Sequence, residues 1–80
     1  MLTLMERIKA RVKELYLRGD EIHVSITLSH PRIHLENAVC VIKGVYPHIF
    51  MIEQIDLERP VSYSLQYTDL LTECVKIKEL

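Results

Sequence analysis

Apolar positions recur along the chain at two different periods. Leu4, Ile8, Val12 and Leu15 recur at i, i+4, i+8 and i+11, and Met5 and Tyr16 widen the same stripe. That spacing predicts an amphipathic helix from Leu4 to Arg18. Its ends carry matching signals. Thr3 and Glu6 form T-x-x-E, a capping box in which the Thr hydroxyl bonds a backbone N–H and the Glu side chain returns the bond. Arg18 complements the negative end of the helix dipole, and Gly19 supplies the left-handed exit residue.

After Gly19 the period drops to two. Ile22, Val24, Ile26 and Leu28 alternate with His23, Ser25 and Thr27, the pattern of a strand with one apolar face. Pro31 breaks it within Ser29-His30-Pro31-Arg32, because proline donates nothing to a ladder. Ile33 to Leu35 either extends the next strand or crosses a loop. Asn37 to Val45 is β-branched and apolar and reads as a strand buried on both faces. Tyr46-Pro47-His48 is a tight turn, and Ile49 to Ile55 returns as the second arm of a hairpin. Asp56 to Pro60 is a charged turn, and Val61 to Leu65 is a short strand. Gln66 to Thr72 suits a 3₁₀ turn. Cys74 to Ile77 is a last strand, with Val75 and Ile77 facing one way and Lys76 the other.

One helix (residues 1–19) followed by five short strands (residues 20–80) predicts a mainly β protein of one domain. The strands are too few for a sandwich, so a small closed barrel that removes its edges is expected. The helix stripe then buries against the barrel mouth or in a neighbouring subunit.

Composition narrows the function classes. Eighty residues with 49% apolar and 26% charged side chains make an ordinary globular chain, too short for a separate catalytic domain. Within one chain, a pocket of the usual ~300 Å³ is not expected. The formal net charge is −1, which argues against a general polyanion binder. That total conceals a polarity. Residues 1–19 carry five basic and two acidic side chains, a net +3, and residues 20–80 carry five and nine, a net −4. Arg7, Arg11 and Arg18 fall on one flank of the stripe, Lys9 and Lys13 on the other. They form either a solvated face or a contact surface for an acidic partner, a second subunit or a phosphate. The opposite charges make self-association plausible, although exposed ion pairs are each worth only about 0–1 kcal/mol.

Two cysteines, Cys40 and Cys74, are too few for a disulfide framework and lack metal spacing. The charged N-terminus has no signal-peptide core, and no apolar run reaches the ~20 residues of a membrane span. A soluble cytoplasmic protein with no membrane partner is expected.

Three segments are distinctive: Tyr46-Pro47-His48-Ile49-Phe50-Met51-Ile52, then Arg59-Pro60-Val61-Ser62-Tyr63-Ser64, then Tyr67-Thr68-Asp69-Leu70-Leu71-Thr72-Glu73-Cys74-Val75. Together they resemble the Veg family of small bacterial proteins, which has a YPxxF turn-and-strand followed by a run like ERVSYSYxDxLTExVxL. Ile8-Lys9 in the opening helix and Gly19 at its exit also fit. The resemblance implies an SH3-like or Sm-like five-stranded barrel behind an N-terminal helix. It also implies a regulatory role, the stimulation of biofilm formation through control of transcription by interaction with a repressor. The chain departs from the family pattern in three places. The Ser29–Asn37 loop has one Arg and no Gly, where the family has a Gly- and Arg/Lys-rich loop. Pro60 is inserted before the SYS motif, and Leu65-Gln66 after it. A looser likeness links Lys43–Ile52 to the strand–turn–strand of Sm-type RNA-binding barrels. Those place a base-contacting Asn near the position of Phe50, which cannot hydrogen-bond a base.

Candidate chemistry is sparse. His30, His34 and Cys40 could be imagined as a zinc set, but the spacing is not that of zinc modules, so neither metal nor cofactor is expected. Cys40 lies in an apolar strand, as a buried thiol does. A Cys–His nucleophile would lack an oxyanion site and an orienting third group, so no catalytic residue is assigned. Tyr46, Tyr63 and Tyr67 are either base-stacking platforms or core and rim fillers. Asp69 is either a partner contact or a turn cap. Arg7, Arg11, Arg18, Tyr46, Tyr63, Tyr67 and Asp69 are therefore the candidate partner contacts. The expected protein is a non-enzymatic adaptor that binds a protein. The alternative is a small nucleic-acid-binding barrel that uses the basic helix.

Overall fold

The computed structural model describes residues 3–29 and 32–80. Helix α1 spans Leu4–Arg18, the bounds that its periodicity predicts. Thr3 Oγ1 accepts the Glu6 N–H at 3.1 Å. The Glu6 carboxylate is not among the groups returning that bond, so the expected box is half formed and Glu6 stays exposed to water. Gly19 takes φ 67°, and its N–H donates to the Leu15 and Tyr16 carbonyls, closing the helix.

Strands follow as β1 (Ile22–Ser29), β2 (Arg32–Val45), β3 (Ile49–Gln54), β4 (Val61–Gln66) and β5 (Val75–Ile77), with a one-turn helix α2 (Tyr67–Leu71) between β4 and β5. All pairings are antiparallel, in the order β4-β3-β2-β1-β5. Residues 33–35 extend β2 and pair with β1, so the open choice between strand and loop resolves to strand. The break expected at Ser29–Arg32 falls on residues 30 and 31, outside the described residues; Ser29 and Arg32 on either side are paired.

Two irregularities bend the fourteen-residue β2. One lies opposite Val24–Ile26, where Asn37 takes φ 50° and its N–H donates to Ser25 Oγ. The other lies between Ile42 and Gly44. Bulges of this kind bend a strand and increase its twist. Cys40 sits where the two halves of β2 meet, paired with Ile22 of β1 and Gln54 of β3.

The core gathers the inward faces of the strands: Ile22, Val24, Ile26, Ala38, Cys40, Ile42, Phe50, Ile52, Leu65, Val75 and Ile77. Val12 and Leu15 of α1 lie in the same cluster, with Met5 and Ile8 packed against it. The stripe thus buries on its own sheet, against β2 and α2. Each fully buried aliphatic side chain contributes roughly 1.5–3 kcal/mol relative to exposure. Leu4 and Tyr16, at the stripe's margins, stay exposed.

The fold is the expected small, mainly β one, with three corrections. The sheet does not close. β4 and β5 share no ladder: α2 occupies the connection between them, and on the outer side of β5 the Ile77 carbonyl accepts from the Leu80 N–H instead of from a strand. β2 is not buried on both faces; Ala38, Cys40 and Ile42 are buried, Val39 and Val41 half-buried and Lys43 exposed, as one outer sheet face demands. The turn after β4 is α-helical rather than 3₁₀, with the Thr72 N–H donating to the Thr68 carbonyl.

Candidate functional site

Three segments converge beside the first half of α1: Met5 and Lys9 from the helix, His48 and Ile49 from the β2–β3 turn, and Gln66, Tyr67 and Thr68 from the start of α2. They line an open groove of about 370 Å³. This corrects the expectation that one chain offers no space of this size. A sheet alone would not make it; the groove exists because α1 crosses the sheet and α2 turns back toward it.

Tyr67 organises the floor. It is 2% exposed, and its ring packs on Phe50 with centroids 5.2 Å apart and planes tilted by 34°. Its hydroxyl donates to the Tyr46 carbonyl at 2.9 Å. Burial pushes that hydroxyl above its ordinary pKa, outweighing the hydrogen bond to Tyr46, so it remains a donor. Lys9 Nζ lies 5.4 Å from the ring centroid, a cation–π contact. Thr68 Oγ1 donates to Gln66 Oε1 at 3.2 Å and orients that amide. The groove therefore pairs an apolar floor of Met5, Ile49 and Tyr67 with a rim of one cation, an imidazole, an amide and a hydroxyl. The apolar floor can take an apolar side chain, and the Lys9 ammonium beside it can take a carboxylate.

The seven candidate contacts do not form one cluster. Tyr46 and Tyr67 come together through their hydrogen bond, and the Tyr46 ring folds across Gly44. Tyr63 lies further along β4, half-buried, with its hydroxyl 3.5 Å from Gln54 Oε1. Asp69 accepts a long 3.4 Å bond from the Gln66 N–H, the local role of a turn cap. Arg18 pairs with Glu14 and Asp20, and Arg11 with Glu14 and the Glu79 carbonyl. Among the described residues Arg7, Lys9 and Lys13 form no ion pair, so they carry the helix's uncompensated charge.

Of the candidate contacts only Tyr67 lines the groove; Met5, Lys9, His48, Ile49, Gln66 and Thr68 were missed. Four of the six, His48, Ile49, Gln66 and Thr68, lie in or beside the distinctive Tyr46–Ile52 and Tyr67–Val75 segments, which was the available signal. Of the imagined zinc set, Cys40 is fully buried in the core and His34 lies exposed beside Glu36 at 3.4 Å; His30 is outside the described residues. Burial, with the Asp56 charge adding to it, pushes the Cys40 thiol up to about 11. Phe50 is fully buried and presents no edge to a nucleic-acid base.

Fold and groove together define a small helix-and-sheet protein whose one-turn α2 and central hairpin turn frame a surface cleft. No helix among the described residues is long and apolar enough to cross a membrane. A family model described as "Biofilm formation stimulator VEG" matches residues 3–78, and the chain belongs to that family. No curated protein matches the chain.

Proposed function

We propose that this protein is a non-enzymatic, cytoplasmic regulator that stimulates biofilm formation by binding a protein that controls transcription. Membership of a family described as a biofilm formation stimulator carries this reading. The groove supports the mode of action: Lys9 and His48 on its rim, with the unpaired Lys13 one turn further along the same flank of α1, suit an acidic segment of a partner, a repressor being the partner that the family resemblance implies. Electrostatic complementarity of this kind sets partner choice and encounter rate more than affinity.

The test is capture of partners from extract of the native cell by tagged wild type and by Lys9→Glu/His48→Glu, followed by biofilm mass in cells carrying each version. A stoichiometric protein partner that the double variant loses, with a matching loss of biofilm, supports the reading. Equal capture and equal biofilm by the double variant overturns it. The alternative, a nucleic-acid binder using α1, predicts retardation of a labelled strand or duplex that falls steeply with salt. Two of the five basic residues of α1, Arg11 and Arg18, are already engaged by carboxylates, which weakens that alternative.

A further inference from the structure

An open sheet has two edges, and here they differ. At the β5 edge only three residues are in the strand, Lys76 and Lys78 flank its end, and the Ile77 carbonyl is already taken by the Leu80 N–H at 3.2 Å. Short length and lysine are the usual means of blunting an edge. The β4 edge has neither. Its six residues, Val61-Ser62-Tyr63-Ser64-Leu65-Gln66, carry no charge, and Val61, Ser62 and Ser64 are exposed.

The direction of each backbone group on β4 follows from parity. β4 pairs with β3 as Phe50↔Leu65, Ile52↔Tyr63 and Gln54↔Val61, with Met51↔Ser64 and Glu53↔Ser62 between them. The Tyr67 N–H reaches the His48 carbonyl, which continues the first series, whereas the Gln66 N–H turns to Asp69. In an antiparallel ladder hydrogen-bonded pairs alternate with non-bonded ones. Tyr63 and Leu65 therefore bond β3, and the N–H and C=O groups of Ser62 and Ser64 point away from the sheet. Pro60 has no N–H to extend this row at one end, and Asp69 occupies the Gln66 N–H at the other. What remains is a two-residue docking strip, Ser62 and Ser64, centred on Tyr63.

That strip is palindromic: an aliphatic residue, Ser, Tyr, Ser, an aliphatic residue. We propose that a second copy of this chain adds antiparallel along β4, with the two-fold axis at Tyr63. Ser62 then pairs with Ser64 of the other copy through reciprocal N–H to C=O bonds, giving four backbone bonds in all. Val61 lies opposite Leu65, which stays in its own core, the two tyrosines meet at the axis, and the serine hydroxyls line the outer face. A two-fold interface requires such self-complementarity, and like-with-like aromatic and hydroxyl pairs are favourable cross-strand neighbours. No charge is buried by this pairing. The register is unique, because a shift by two residues places Pro60 or the capped Gln66 opposite a donor or acceptor.

Light scattering coupled to gel filtration, run across a concentration series, should show a monomer–dimer equilibrium. Ser64→Pro should shift it to monomer at every concentration with the circular dichroism spectrum retained, since the lost N–H faces away from β3 and proline is tolerated on such an edge. The register has a separate readout. At a non-hydrogen-bonded pair the two Cα atoms lie about 4.5 Å apart, within disulfide reach. Tyr63→Cys, made with Cys74→Ala, should therefore give a covalent dimer on treatment with diamide, which takes up the two electrons and two protons of the thiols. A wild type that stays monomeric at millimolar concentration overturns the proposal. So does a dimer that Ser64→Pro leaves intact, or one in which Tyr63→Cys does not cross-link.

Discussion

The Tyr67 hydroxyl and the Tyr46 carbonyl are joined by a 2.9 Å hydrogen bond across 21 residues of chain. It ties the β2–β3 turn to the start of α2 and so holds two walls of the groove at a fixed separation. Tyr67→Phe keeps the ring against Phe50 and loses only this bond, with an expected cost of about 1 kcal/mol. Tyr67→Ala also empties the buried ring site and should cost roughly 3–5 kcal/mol. Urea unfolding separates the two; a Phe variant with the wild-type midpoint would show that the bond contributes nothing.

Gly19 tests the helix exit. A Cβ there would meet nothing within 4 Å, so the whole cost of Gly19→Ala is backbone conformation at φ 67°. About 1–2 kcal/mol is expected, and Gly19→Asn should recover part of it, since Asn tolerates the left-handed region. Thermal unfolding of the three proteins should order them Gly, Asn, Ala. An Ala variant as stable as the wild type would contradict the assigned cap.

The two cysteines should differ in reactivity. Cys40 is fully buried, and its thiol is pushed up to about 11 by burial and by the nearby Asp56 charge, whereas Cys74 is partly exposed. The thiolate is the reactive form. At pH 8, iodoacetamide should label one cysteine in the folded protein, Cys74, and both in urea. Peptide mass mapping reads the site; labelling of Cys40 at the rate of Cys74 would refute its place in the core.

Acid should loosen the C-terminal clasp. Glu79 accepts the His23 backbone N–H at 2.7 Å and contacts the His23 ring Nδ1 at 2.8 Å. Burial alone would raise the Glu79 carboxyl, but the hydrogen bonds from His23, with smaller help from its own backbone and the His23 charge, hold it below the ordinary range. The Gln54 amide foremost, then the Val39 N–H, lower Asp56 in the same direction. A carboxyl depressed on folding stabilises the fold above its unfolded pKa, and that contribution is lost as pH falls through the folded value. Glu79→Gln should therefore be less stable than wild type at pH 7, and the gap should close below about pH 4. A gap that persists unchanged at pH 3 would show that the clasp does not depend on the Glu79 charge.

The helix was legible because its information is local. The Leu4–Leu15 stripe, the Thr3 cap and the Gly19 exit each act within a turn or two, and α1 has the bounds that they predict. The strands of the Tyr46 hairpin and the alternation in β1 were legible for the same reason. The two-sided burial read into Asn37–Val45 was wrong because β-branched residues suit a half-buried face as well as a buried one. Closure of the sheet was not legible either. It depends on what lies beside β5 in the folded chain, which no local pattern encodes: the five-residue α2 fills the connection to β4, and the Leu80 N–H takes the outward Ile77 carbonyl.

The candidate site divides along the same line. Sequence alone singled out the tyrosines, the arginines and the segments now seen to frame the groove. Only the tertiary structure decided that Tyr67 is the floor and not a free platform, that Arg11 and Arg18 are spoken for, and that His48 and Thr68 stand beside Lys9. The same holds for the outward row of Ser62 and Ser64. The residues that make a groove or an edge are neighbours across the fold and not along the chain. Their meeting is fixed by how the helix stripe and the sheet bury their apolar faces together, a choice made by the whole chain at once.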